Sequence, residues 1–241
     1  MTKDPRQPVV AIDGPAGAGK STVTRRVAQE LGYTRVDTGA LYRAVAWLCL
    51  QRGVPFEDAP QVTAVAQELA QPGAIALSTS GQDVSVRVLG QEVTQDIRSS
   101  SATWGASQVS QLPEVRQALL SIQRELGRSG GVVLEGRDIG TVVFPRAEAK
   151  FYLTASTQVR AQRRLLELEA RGDAADFEQV VDEVRKRDER DTLRPIAPLV
   201  QAPDAQVVDS SGMDLDQVVA AIVERVRVVE AQMGAAQAPE E

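Results

Sequence analysis

The apolar run Pro8-Val9-Val10-Ala11-Ile12 is followed by Gly14-Pro15-Ala16-Gly17-Ala18-Gly19-Lys20-Ser21-Thr22, the most informative stretch of the chain. Buried strand, glycine loop and helical pattern stand in the order of a phosphate-binding P-loop. Glycines let backbone N–H groups converge on an anion at a helix N-terminus, the lysine bridges the outer phosphates, and the next hydroxyl ligates Mg²⁺. Residues 14–22 are therefore the expected phosphate cradle, with Lys20 as its cation and Ser21 as its metal ligand. The chain has four lysines, Lys3, Lys20, Lys150 and Lys186, among many arginines, and one falls at this place.

After this loop, Val23, Val27, Ala28 and Leu31 make a core-facing stripe on a helix over about Lys20 to Leu31. A short strand about Thr34 to Val36 leads to a helix carrying Leu41, Val45, Leu48 and Cys49, with Asp37 or Thr38 as its expected cap. Another helix covers Pro60 to Leu69. A polar stretch with Trp104 and Ser107 then precedes a helix that starts at Pro113 and runs to about Arg128. Val132-Val133-Leu134, Ala149 to Leu153 and Ala205 to Val208 read as further strands, separated by helices from about Ser156 and Asp176; a last helix spans about Asp214 to Val229.

Five apolar strands alternating with helices predict an α/β protein, a P-loop NTPase-type parallel five-stranded sheet flanked by helices. Between Ala74 and Val93 the period changes to alternation, which predicts two or three short antiparallel strands joined by tight turns, one of them at Ser80-Gly81-Gln82-Asp83. This small sheet is read as part of a substrate-side lobe rather than surface decoration.

At 241 residues the chain buries roughly 70–75% of its unfolded surface, so its core needs no staples. A single cysteine, Cys49, rules out an intramolecular disulfide, and no apolar stretch is long enough to span a bilayer, so a cytoplasmic protein without membrane contact is expected. The net charge of −6 argues against nucleic acid as a partner, although local arginine clusters suit a compact anion. The sequence has no histidine, so imidazole is neither base nor metal ligand, and no asparagine, which removes the metal-holding residue of protein kinases. Lysine, arginine, carboxylates and hydroxyls remain, which suits phosphoryl transfer.

Three further blocks carry a resemblance. Asp37-Thr38-Gly39-Ala40-Leu41-Tyr42-Arg43, then Glu135-Gly136-Arg137-Asp138 through Phe144-Pro145, then Arg187-Asp188-Glu189-Arg190-Asp191 through Arg194 to Leu199 resemble bacterial cytidylate kinases, P-loop nucleoside monophosphate kinases. With the P-loop and Ala106-Ser107-Gln108-Val109 before Arg116, the likeness runs from about Val9 to Val208. It implies transfer of the γ-phosphoryl group of ATP, with Mg²⁺, to CMP or dCMP. It places Thr38, Tyr42, Ser107, Arg116 and Asp138 around the acceptor nucleotide. Arg43, Arg137 and Arg194 become candidates for the acceptor phosphate, Arg187 and Asp191 for ribose and lid contacts, and Arg137, Arg187 and Arg194 join Lys20 as catalytic cations. Glu135 stands where some members carry aspartate, and Thr38 where serine is frequent.

The same likeness implies one kinase domain and a monomer. Its core covers about 8–37, 106–155 and 196–232; the nucleoside-monophosphate region covers about 38–105 with the small sheet at about 73–97; a lid covers about 156–195. The tail from about 234 to 241 is small and acidic, which predicts disorder. Arg160, Arg163 and Arg164 are read as a solvated helix face in preference to contacts with ATP, and Trp47 and Trp104 as packing residues in preference to base-stacking platforms. The competing readings are a P-loop kinase for UMP, AMP or a metabolite, and an ATP-binding regulatory switch.

Overall fold

The computed structural model describes residues 7–80, 83–170, 172 and 174–236. Its elements are β1 (Val9–Asp13), α1 (Lys20–Leu31), β2 (Thr34–Asp37), α2 (Gly39–Arg52), α3 (Ala59–Leu69), β3 (Ile75–Ser80), β4 (Asp83–Val88) and β5 (Gln91–Glu92). There follow α4 (Ser100–Val109), α5 (Pro113–Leu126), β6 (Val132–Gly136), β7 (Ala149–Thr154), α6 (Thr157–Glu169), α7 (Phe177–Leu193), β8 (Gln206–Asp209) and α8 (Leu215–Ala236).

The five expected strands form one sheet of order β2-β6-β1-β7-β8. β1 pairs in parallel with β6, Ile12 opposite Glu135, and with β7, Asp13 opposite Tyr152. All five β1 residues are buried, as a central strand covered on both faces requires. The same register brings the carboxylates of Asp13 and Glu135, with Gly136, to the carboxyl edge, where ligands of open α/β sheets bind. The small antiparallel sheet β3-β4-β5 also forms, with Leu77 opposite Val86; residues 81 and 82, the expected turn, lie outside the described set.

The chain divides into two compact units, one reaching Tyr33 and resuming at Ser129, the other Thr34–Arg128. In the first, Val10, Ile12 and Phe151 of the sheet pack with Val23 and Val27 of α1 and Val219, Ile222 and Val226 of α8. A smaller cluster of Ala161, Val180, Val181 and Val184 joins α6 to α7. In the second, Leu41, Val45 and Cys49 of α2 share a core with Leu69, Val86, Ile97, Val109 and Leu119.

Three expectations change. Residues 100–109, read as a polar stretch, are helical: Ser99 caps them by accepting from the Ala102 amide at 3.3 Å, and the inward face is Ala102, Gly105 and Val109. A side chain at Gly105 would lie 2.4 Å from Phe56 and 2.9 Å from Ala46, so smallness there is what lets the helix pack closely. At the start of α2, Thr38 has helical angles (φ −67°, ψ −23°) and makes no side-chain cap, because capping needs an extended residue. Finally, α8 continues through Ala236, with Met233 packed on the core, so Gly234–Ala236 are helical where a disordered tail was expected; residues 237–241 lie outside the described set.

Candidate active site

In the first unit, β1 ends in a loop bent around Gly14 and Gly17. A Cβ on Gly14 would stand 2.0 Å from the Leu153 carbonyl, and Gly17 has φ +75° with the Arg160 backbone 3.1 Å from where its Cβ would be. Only glycine permits that approach. Lys20 begins α1 buried, and its ammonium donates to the carbonyls of Gly14 (2.7 Å) and Pro15 (2.6 Å). Burial and the Arg137 guanidinium pull Lys20 well below the usual lysine range, against Glu135 and Asp191.

The Ser21 hydroxyl donates to Glu135 at 2.7 Å, and the Thr24 hydroxyl lies 3.1 Å from the other Glu135 oxygen. A hydroxyl beside a carboxylate at a strand end is a hard oxygen set that fits Mg²⁺. Among the described residues no three His, Cys, Asp or Glu side chains gather to hold a metal alone, so the phosphates would supply the remaining ligands. Thr22 is exposed, its amide bonded to the Gly19 carbonyl at 3.1 Å.

From the end of β6 the chain enters a π-helical turn, Ile139–Val143, whose first amides are held from below. The buried Asp13 carboxylate accepts from Ile139 N (2.8 Å) and Gly140 N (2.7 Å). Burial pushes its pKa up to about 6, the two amide bonds opposing. Asp13 thereby fixes the segment that presents Arg137 and Asp138.

Arg137 donates through Nε to Asp191 of α7 at 2.8 Å. Burial favours neutral Asp191, but Arg137, with Arg187 and Arg194, outweighs it and holds the carboxyl below the usual range. Arg187 is lowered to about 10 by its burial and the Arg137 charge, still cationic at neutral pH, and its buried Nε has no hydrogen-bond partner. Arg194 donates to the Ala197 carbonyl at 2.5 Å and to Asp138 at 3.4 Å. The Lys20 ammonium thus feels Arg137, Arg187, Glu135 and Asp191 at once.

In the second unit, Asp37 accepts from Arg43 at 2.7 Å. Burial opposes its ionisation, yet Arg43, with Arg35 and Arg98, keeps its carboxyl below the ordinary range. Thr38 and Tyr42 are buried along the same turn of α2. The Arg116 guanidinium sits 5.4 Å from the centre of the Tyr42 ring, a cation–π distance, and donates to Ser110 O at 3.3 Å. The Ser110 hydroxyl in turn donates to Ser107 O at 3.3 Å. The buried Ser107 Oγ and Arg43 Nε have no hydrogen-bond partner. Such orphaned groups are what a polar ligand would satisfy.

The family profile described as cytidylate kinase matches residues 10–228. The chain belongs to the cytidylate kinase family. A cytidylate kinase of Pelotomaculum thermopropionicum is 47% identical over 220 residues, covering 91% of this chain and 96% of that protein. One from Symbiobacterium thermophilum is 46% identical over 229 residues, covering 94% and 99%. A bifunctional pantoate ligase/cytidylate kinase of Synechococcus is 49% identical over 220 residues, and the chain spans 40% of its length.

Three side chains that sequence reasoning did not place at the site are built into it: Asp13, Arg160 and Asp188. A carboxylate closing an apolar strand was a readable signal for Asp13. Nothing local marked Arg160, and its expected place on a solvated face is wrong. It is buried, gripping Asp188 at 2.6 and 2.9 Å and the Ala16 carbonyl at 3.1 Å. Arg163 similarly donates to Ser210, and only Arg164, paired with Glu167 at 3.1 Å, behaves as expected. Trp47 is buried, whereas Trp104 is 51% exposed, resting against Phe56 at 5.5 Å.

Proposed function

We propose that this protein transfers the γ-phosphoryl group of ATP to CMP or dCMP, giving ADP and CDP or dCDP. The observation that carries the reading is the cationic cluster at the P-loop: Lys20 shares its field with Arg137 and Arg187, more positive charge than one triphosphate-binding lysine supplies. Repulsion between two phosphate-bearing substrates is the main obstacle to bringing their reacting atoms together. Guanidinium groups that cancel it can contribute about 10³–10⁵ in rate.

In this reading residues 14–22 hold the triphosphate, their amides and Lys20 turned to its oxygens. Ser21, beside Glu135, would hold Mg²⁺, which would supply neutralisation of phosphate charge. Arg137, Arg187 and Arg194 would hold the transferring and acceptor phosphates in line, and the family resemblance makes Arg43 a further candidate for the acceptor phosphate. Asp191 keeps Arg137 in place and, with Arg187, meets the ribose. No general base is needed, because the attacking oxygen belongs to an ionised phosphate, which fits a chain without histidine.

Cytosine offers an amino donor beside a bare ring nitrogen and a carbonyl. Asp138 would accept from the amino group, and Arg116, with Thr38, Ser107 and Tyr42, would serve the acceptors. Uracil reverses two of those polarities, so a buried mismatch costs on the order of 1–3 kcal/mol. Residues 156–195 are proposed as the lid and 38–105 as the acceptor region of a single monomeric, cytoplasmic kinase domain. Among the described residues no helix is long and apolar enough to cross a membrane. Release of ADP measured with CMP, dCMP, UMP, AMP and shikimate tests the assignment: turnover should follow the two cytidine nucleotides. Equal turnover of UMP would refute it.

A further inference from the structure

Arg160 stands in the first turn of α6 with its side chain 6% exposed, and each of its three nitrogens is engaged. Nε donates to Ala155 O at 3.0 Å, Nη1 to Ala16 O at 3.1 Å and Asp188 Oδ1 at 2.9 Å, and Nη2 to Asp188 Oδ2 at 2.6 Å. One planar fork therefore ties the P-loop, the root of α6 and the middle of α7. The contact is direct at the backbone too, since a Cβ on Gly17 would meet the Arg160 Cβ and carbonyl at 3.1 Å. Asp188 follows Arg187 and precedes Asp191 by one helical turn, so whatever holds Asp188 also sets where those two side chains begin.

The peptide plane is rigid, so drawing the Ala16 carbonyl toward Arg160 turns the Gly17 N–H to the opposite side. One turn along α6, Arg163 does the same more weakly at Ala18 O, at 3.4 Å. We propose that Arg160 is a positioning residue that orients the Ala16–Gly17 peptide of the P-loop and, through Asp188, couples that loop to the helix carrying Arg187 and Asp191. Arg160 touches no reacting atom; it makes the donor loop and the arginine helix one mechanical piece. The turnover part of this inference rests on the proposed kinase reaction, and the binding part does not.

The test uses Arg160→Ala, Arg160→Lys, Asp188→Ala and the Arg160→Ala/Asp188→Ala pair, each titrated calorimetrically with Mg²⁺ and adenylyl imidodiphosphate well below its melting temperature. Loss of a charge-assisted bond network at the loop should weaken the analogue in Arg160→Ala by about tenfold or more. Lysine keeps the charge without the fork, so Arg160→Lys should recover part of that loss. The double variant should bind within about twofold of Arg160→Ala, because both substitutions remove one coupling. In turnover assays kcat should fall and the KM for CMP should rise, because Arg187 and Asp191, proposed at the acceptor, begin where Asp188 holds them.

An Arg160→Ala protein that binds the analogue like wild type, or additive losses in the double variant, would overturn the proposal. Should Arg160→Ala not fold, Arg160→Lys and Asp188→Ala decide in the same way: wild-type affinity in both refutes it. A wild-type protein that binds the analogue but does not phosphorylate CMP would instead defeat the proposed reaction and leave the calorimetric comparison standing.

Discussion

Replacing Asp191 by asparagine keeps the volume of the side chain and deletes its charge, which isolates what that charge does. The Arg137–Asp191 pair is 2.8 Å long, with side chains 20% and 9% exposed, and Arg187 and Arg194 also act on Asp191. Without the carboxylate, buried guanidinium groups confront one another with less compensation. Removing one partner of a buried pair costs about 3–5 kcal/mol, and because asparagine retains an acceptor for Arg137 the lower figure applies. In a protein of this size each kcal/mol is worth about 2–4 °C, so Asp191→Asn should melt about 6–12 °C below wild type at pH 7. The folded-state pKa of Asp191 is depressed, so its contribution is present above the ordinary aspartate range and lost as pH falls below about 4. The gap between the two proteins should close there. Inorganic tripolyphosphate should narrow it at pH 7, since a polyanion restores the missing negative charge. Melting followed by calorimetry, with and without tripolyphosphate, reads all three effects. A variant within about 1 °C of wild type at pH 7, or a gap that tripolyphosphate leaves untouched, would refute the picture of mutually repelling cations held by Asp191.

Two further outcomes follow from the same geometry. Lys20→Ala should weaken adenylyl imidodiphosphate and leave CMP binding near wild type, whereas Asp138→Ala should do the reverse; parallel titrations check this, and matching defects would mean that the division of roles is wrong. Asp13 is raised from 3.8 to about 6, so ionising it in the folded protein is unfavourable, and its stabilising contribution is greatest below pH 4 and declines until about pH 6. Relative to Asp13→Asn, the wild type should therefore lose about 3 kcal/mol between those limits, two pH units at 1.36 kcal/mol each, in urea unfolding; a pH-independent difference would contradict the assignment.

The sheet and the P-loop were legible because their signals are local. Val9-Val10-Ala11-Ile12 is unbroken apolar sequence, and α1 runs from Lys20 to Leu31 as its stripe predicts. Residues 100–109 escaped because the buried side of that helix is made of Ala102 and Gly105, small residues chosen by the closeness of Ala46 and Phe56 and not by hydrophobic period. Arg160 escaped for a related reason. A helix bearing three arginines within five positions reads as solvated, and what buries the first is a carboxylate 28 residues away and a carbonyl 144 residues away. Asp37 and Arg43 are only six positions apart, yet a capping role for Asp37 or Thr38 looked equally natural from the sequence; Thr38 has helical angles and makes no side-chain cap, and Asp37 pairs with Arg43.

The most direct test of two phosphates meeting under one set of cations is to follow the phosphorus itself. With γ-labelled ATP, Mg²⁺ and CMP, the label should appear in the β-phosphate of CDP in step with ADP release, and little should be freed as inorganic phosphate. Label released as inorganic phosphate at a rate indifferent to CMP would contradict the account.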